Sequence, residues 1–154
     1  MTRSWKTLLP CLALPLGVGF LSSLLTRSAM DRFAALRQPP LSPPGWVFPL
    51  VWTVLYLLMG LSSYLVLTAG KGRPPGLGLY CLQLLFNFFW PLLFFGMGLY
   101  LPAFFWLLAL WGLVLATAVQ FSKTSRKAAR LLLPYLAWTA FAGYLNLGVY
   151  LLNR

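Results

Sequence analysis

The sequence predicts an all-α polytopic membrane protein, a bundle of five transmembrane helices forming one domain over residues 1–154. Three observations carry that prediction. The chain is 60% hydrophobic and only 8% charged, whereas a soluble domain is about half apolar and about a quarter charged. Its apolar runs match or exceed the roughly 20 residues that a helix needs to cross a bilayer. Its bases fall mostly in or beside the short segments between those runs, the pattern of membrane loops and headgroup contacts.

The first span runs from about Trp5 to Leu25, with Arg3 and Lys6 at its start. A signal peptide shares that positive start, but its apolar core is only about 7–15 residues, so the run reads as a retained helix. A long polar loop over residues 26–43 comes next, holding Arg27, Asp31, Arg32 and Arg37. Two proline pairs, Pro39-Pro40 and Pro43-Pro44, stiffen its end. Proline fixes its own φ and pushes the preceding residue out of helical geometry, so the chain is expected to stay extended to about Pro43. The second span opens at Pro44 or Gly45, where a missing N–H costs nothing, and reaches about Thr68. Pro49 inside it is expected to leave a carbonyl near Gly45 without a helical partner. Pro74 to Ser122 contains no charged residue, a stretch suited to two crossings. Gly96-Met97-Gly98 is the natural turn between them, giving spans at about residues 76–95 and 101–121. The last span covers about residues 128–152.

Orientation follows from the bases. Arg3, Lys6, Lys71, Arg73, Lys123, Arg126, Lys127 and Arg130 share one end of the bundle; Arg27, Arg32, Arg37 and Arg154 share the other. The bias favours a cytoplasmic N-terminus.

The residues that are missing exclude much chemistry. There is no histidine and a single acid, Asp31, so no carboxylate pair, catalytic triad or His/Asp/Glu metal site can be built. No metal or cofactor is expected. Cys11 and Cys81 both fall inside spans, where they read as small apolar residues. Twelve Lys and Arg against one acid would suggest nucleic acid in a soluble chain; here the partner they point to is the bilayer, with no nucleic acid.

Three faces at helical spacing suggest a site. Gln83, Asn87, Trp90 and Phe94 line one side of the third span, and amides in mid-membrane belong toward protein or a cavity. Trp52 and Tyr56 lie one turn apart, just after Trp46 and Pro49. Trp138, Ala142 and Asn146 align on the fifth span, where Ala142 and Gly143 leave space below the indole. Trp52 and Trp138 are expected to wall an open, flat apolar pocket. The bland alternative for Asn87 and Asn146 is bonding between helices. Leu147, Tyr150 and Arg154 fit a loose pattern suggested for cholesterol contact, one that many helix ends match by chance.

The chain resembles the TspO/translocator protein family. The resemblance is carried by Trp46-Val47-Phe48-Pro49-Leu50-Val51-Trp52-Thr53-Val54-Leu55-Tyr56 with Met59-Gly60, by Asn87-Phe88-Phe89-Trp90-Pro91 with Phe94-Phe95-Gly96, and by Leu133-Pro134-Tyr135-Leu136-Ala137-Trp138 through Phe141-Ala142 to Asn146. It implies a five-helix bundle, commonly a homodimer, whose pocket is lidded by the first loop and takes porphyrins, haem and, in animals, cholesterol. It also implies an alternative, light-dependent protoporphyrin degradation in which Trp52 and Trp138 act, and a further one, a lipid-binding or stress-related membrane factor. The ligand contacts so assembled are Trp46, Trp52, Tyr56, Asn87, Trp90, Trp138, Ala142 and Asn146, with Arg32, Phe33 and Leu41 on the lid. Leu41 stands where the family usually has tryptophan, and Phe33 where an aromatic hydroxyl is common. The short end after Arg154 resembles the bacterial members.

Overall fold

The computed structural model describes residues 5–70 and 72–154; Arg3 and Lys71, which contribute to the charge bias, lie outside them. Five helices are long and apolar enough to cross a membrane, and no strand occurs among the described residues. Helix α1 spans Trp5–Thr26 and runs through Pro10 and Pro15. A tight helical turn, Arg27–Ala29, leads into the short helix α2, Met30–Ala34. The first part of the polar loop is therefore helical, and only the segment after Leu36 is irregular.

Helix α3, Val47–Ala69, begins later than the proline pair suggests. The Val47 N–H turns back to the Pro44 carbonyl at 3.0 Å, so Pro44 and Gly45 sit in a turn outside the helix. Pro49 consequently falls in the first helical turn, where backbone N–H groups have no intrahelical partner anyway. The Gly45 carbonyl therefore lies outside the helix and not within its hydrogen-bond ladder.

Helix α4, Leu77–Pro91, passes into a wider π-type turn, Leu92–Gly96, closed by the Met97 N–H on the Leu92 carbonyl at 2.9 Å. After a turn at Gly98, helix α5 spans Tyr100–Ser122. The last span is broken: α6, Arg126–Leu131, stops before α7, Leu133–Asn153. Pro134, which has no N–H to offer the carbonyl one turn back, sits in the first turn of α7, where that N–H is not needed.

The spans form a ring in which α1 packs on α3 and α4, α4 on α5, and α5 on α7, while α6 wedges against α3 and α5. Between α3 and α7 the closure is made by side chains: Trp52 meets Tyr135 edge-on at 6.3 Å, and Phe48 meets Trp138 at 5.9 Å. Met59, Leu107, Leu110, Val114 and Phe121 fill the axis, while Phe20, Leu85 and Phe105 face outward. Outward apolar side chains are the expected arrangement where hydrocarbon replaces water. Cys11 is buried, Cys81 is exposed, and both are free thiols.

Candidate ligand pocket under the lid

The polar face of α4 points inward. Gln83, Asn87, Trp90 and Phe94 are all buried, and they organise a hydrogen-bond chain across the bundle. The Tyr56 hydroxyl donates to Asn87 Oδ1 at 2.8 Å; Asn87 Nδ2 donates to the Tyr135 hydroxyl at 2.7 Å; that hydroxyl donates to Gln83 Oε1 at 2.7 Å. Nearer the lid, Trp90 Nε1 donates to Asn146 Oδ1 at 3.0 Å, and Asn146 Nδ2 donates to the Tyr100 carbonyl at 2.7 Å. Asn87 and Asn146 each have both ends of the amide engaged, so neither is left to an apolar medium at full desolvation cost.

Rings frame the same chain. Trp52 stacks on Tyr56 at 5.7 Å and leans on Trp90 at 6.5 Å; Trp90 stacks on Phe94 at 5.2 Å. The Tyr56 ring fits only because residue 19 of α1 is glycine: a Cβ there would overlap the ring edge. Trp138 belongs to a neighbouring group, against Phe48 and Phe141 at 5.9 and 5.5 Å. The open slot expected between Trp52 and Trp138 is not what forms. Tyr56, Trp90 and Tyr135 close around Trp52, and the space left beneath the lid is about 20 Å³, bordered by Phe33, Phe48, Trp90, Phe94, Ala142 and Asn146. That is room for about one water. One polar atom, on a residue that packs against the bordering Phe48, is unfinished. Trp138 Nε1 is buried and has no hydrogen-bond partner.

The lid is fastened at both ends. Arg32 Nη2 donates to the Phe95 and Gly96 carbonyls at 2.5 and 3.0 Å, groups freed by the end of the helical ladder, and Phe33 packs edge-on to Phe95 at 4.8 Å. Toward α7, the Arg37 N–H donates to Asn153 Oδ1 and Asn153 Nδ2 donates to the Arg37 carbonyl, both at 2.9 Å. The Tyr144 hydroxyl donates to the Pro40 carbonyl at 2.6 Å. Pro39 lies directly on Gly148, where an added Cβ would come within 2.5 Å of the proline ring. Between these fasteners Leu41 is exposed with φ of +71°, in a tight turn closed by the Ser42 N–H on the Pro39 carbonyl at 3.3 Å. A left-handed φ suits glycine or asparagine at that position and is costly for leucine.

Of the residues singled out from sequence, the structure brings together Trp52, Tyr56, Asn87, Trp90, Ala142 and Asn146, with Phe33 above them. Trp46 stands exposed at the N-terminal edge of α3, and Arg32 is committed to backbone carbonyls. Sequence reasoning left Tyr135 and Phe48 out of the site. Tyr135 lies one turn before Trp138 on the same helical face, and extending that face backward would have found it.

A multi-span helical membrane protein with an aromatic, amide-braced interior beneath a pinned lid is the class that this fold and site define. The profile of the TspO/MBR family matches residues 11–152, and the chain belongs to that family. It is 37% identical to the tryptophan-rich protein TspO of Chlorobaculum tepidum over 99% of each chain. It is 43% identical to the translocator protein of Bos taurus over 91% of this chain and 83% of the relative. The tryptophan-rich sensory protein of Cereibacter sphaeroides is 39% identical over 77% of this chain and 74% of its own.

Proposed function

We propose that this chain is a membrane receptor or carrier that takes porphyrins, haem and similar flat lipophilic ligands beneath the lid, as a homodimer with its N-terminus in the cytoplasm. The observation that carries the reading is the buried N–H of Trp138, the one buried side-chain donor or acceptor among the described residues without a partner. A buried donor without an acceptor costs free energy unless a ligand supplies one. A tetrapyrrole offers carboxylates or ring nitrogens as acceptors and a flat apolar body for the rings of Phe48, Trp90 and Trp138. The chain has no histidine, so unless a Cys, Met or Tyr serves as axial ligand, metal-free porphyrin and haem should bind with similar affinity.

Space for such a ligand comes from lifting the segment between Leu36 and Trp46 and parting Phe33 from Phe94. Spectral titration of the purified protein in detergent tests the reading. Saturable porphyrin binding that weakens about tenfold in Trp138→Phe is expected, the loss of roughly one hydrogen bond. Unchanged affinity in both Trp138→Phe and Trp52→Phe overturns it.

The degradative alternative draws support from the ring pair Trp138–Phe48 and the series Tyr135–Trp52–Trp90. Illuminating the porphyrin complex separates the two: protein-dependent loss of the porphyrin absorbance band marks an enzyme, and a stable band marks a receptor.

A further inference from the structure

The end of the bundle opposite the lid carries a fixed cluster of cations. Arg73 lies on the loop between α3 and α4; Lys123, Arg126, Lys127 and Arg130 lie on the turn after α5 and on α6, and all five are exposed. The loop is held against α5: Gly76, with φ of +94°, brings its backbone onto Gln120, and Tyr80 stacks on Phe121 at 5.8 Å. Helix α6 is held as firmly. Ser125 caps it by accepting from the Ala128 N–H at 3.1 Å, Ser62 of α3 donates to the Ala128 carbonyl at 2.8 Å, and Ala128 is wholly buried.

The chain has one acidic side chain, Asp31, and it sits in α2 at the lid end. No carboxylate side chain of this protein reaches the cluster. Arg126 and Arg130 stand one turn apart on α6, and like charges at that spacing repel. An anion placed between them removes the repulsion. Leu133 at the start of α7 and Val119 near the end of α5 are exposed as well, so apolar surface lies within a few residues of the cations on both of these helices.

We infer that this end binds the phosphate groups of anionic phospholipids, with Arg126, Lys127 and Arg130 as the centre and Arg73 and Lys123 at the flanks. Basic groups at the mouth of helices bind acidic headgroups by charge and hydrogen bonding, while the adjacent leucine and valine meet the acyl chains. The inference is independent of what the lidded pocket holds.

The full chain in neutral detergent, mixed with equal amounts of phosphatidylglycerol and phosphatidylcholine, tests it by native mass spectrometry of retained lipid. Phosphatidylglycerol should be retained about tenfold over phosphatidylcholine, as the attraction of two or more bases implies. Arg126→Gln/Lys127→Gln/Arg130→Gln should bring the ratio near parity, and Arg154→Gln, at the other end, should leave it unchanged. Equal retention of the two lipids by the unaltered protein, or an undiminished ratio in the triple variant, overturns the proposal. Displacement of the lipid by millimolar inorganic phosphate or by a short oligonucleotide also overturns it, reassigning the cations to a soluble anion or to nucleic acid. Should the triple variant not fold, Lys127→Gln and Arg126→Gln singly must each lower the ratio, and a ratio held by both is equally fatal.

Discussion

Trp52 and Trp138 both help to close α3 against α7, the first on Tyr135 and the second on Phe48, yet their surroundings differ. Around Trp52 the interior is complete: Tyr56, Asn87, Tyr135 and Gln83 pass hydrogen bonds along a line, and Trp90 is bonded to Asn146. Around Trp138 the rings are apolar, the nearest helix neighbour in register is Ala142, and the indole N–H has no acceptor. The contrast separates two uses of one aromatic composition. One region is braced by paired donors and acceptors, and the other leaves one buried donor without an acceptor.

The largest test of that division is Asn87→Leu. It strips partners from the Tyr56 and Tyr135 hydroxyls together and should lower stability in detergent by about 2 kcal/mol, less than in water because the unfolded chain in lipid also finds partners. Thermal unfolding monitored by helical circular dichroism measures it, and a neutral variant would erase the first half of the comparison. Next comes Gly148→Ala. The added methyl collides with Pro39 and should cost about 1 kcal/mol as overpacking, while raising the rate of proteolysis between Leu36 and Trp46. Trp90→Phe removes a single satisfied bond and should cost about 1 kcal/mol. Leu41→Gly should act the other way, stabilising by about 1 kcal/mol as the left-handed strain is relieved, and slowing ligand entry. Smallest is Trp138→Phe without ligand. Since its N–H bonds nothing, unfolding should move by less than about 0.5 kcal/mol, and a larger loss would mean that the residue belongs to the scaffold after all.

The spans were legible because hydrocarbon demands long uninterrupted apolar helices, and composition alone reveals them. The inward face of α4 was legible for a related reason, since Gln83 and Asn87 repeat at helical spacing and no lipid-facing side would tolerate them. Less visible was the fate of Pro49 and Pro134. A proline states that a bond is missing, but only the position of the helix start decides whether that matters; α3 begins late enough to absorb the first, and α7 opens one residue before the second. The closing of the space beside Trp52 was invisible, because it depends on Trp90 and Tyr135 arriving from separate helices. The same holds for Arg32, whose charge suggested a ligand partner and whose guanidinium instead completes the end of α4.

Asn153 has a consequence for anyone handling this molecule. Its amide grips both backbone groups of Arg37 while also bonding the Val149 carbonyl, so a residue at the very end of α7 acts as the buckle of the strap over the cavity. Trimming Asn153 and Arg154 would leave all five crossings intact by any hydropathy plot and still unfasten that strap. A tag fused after Arg154 would hang beside the same buckle, so ligand measurements are better made with the tag at the other end.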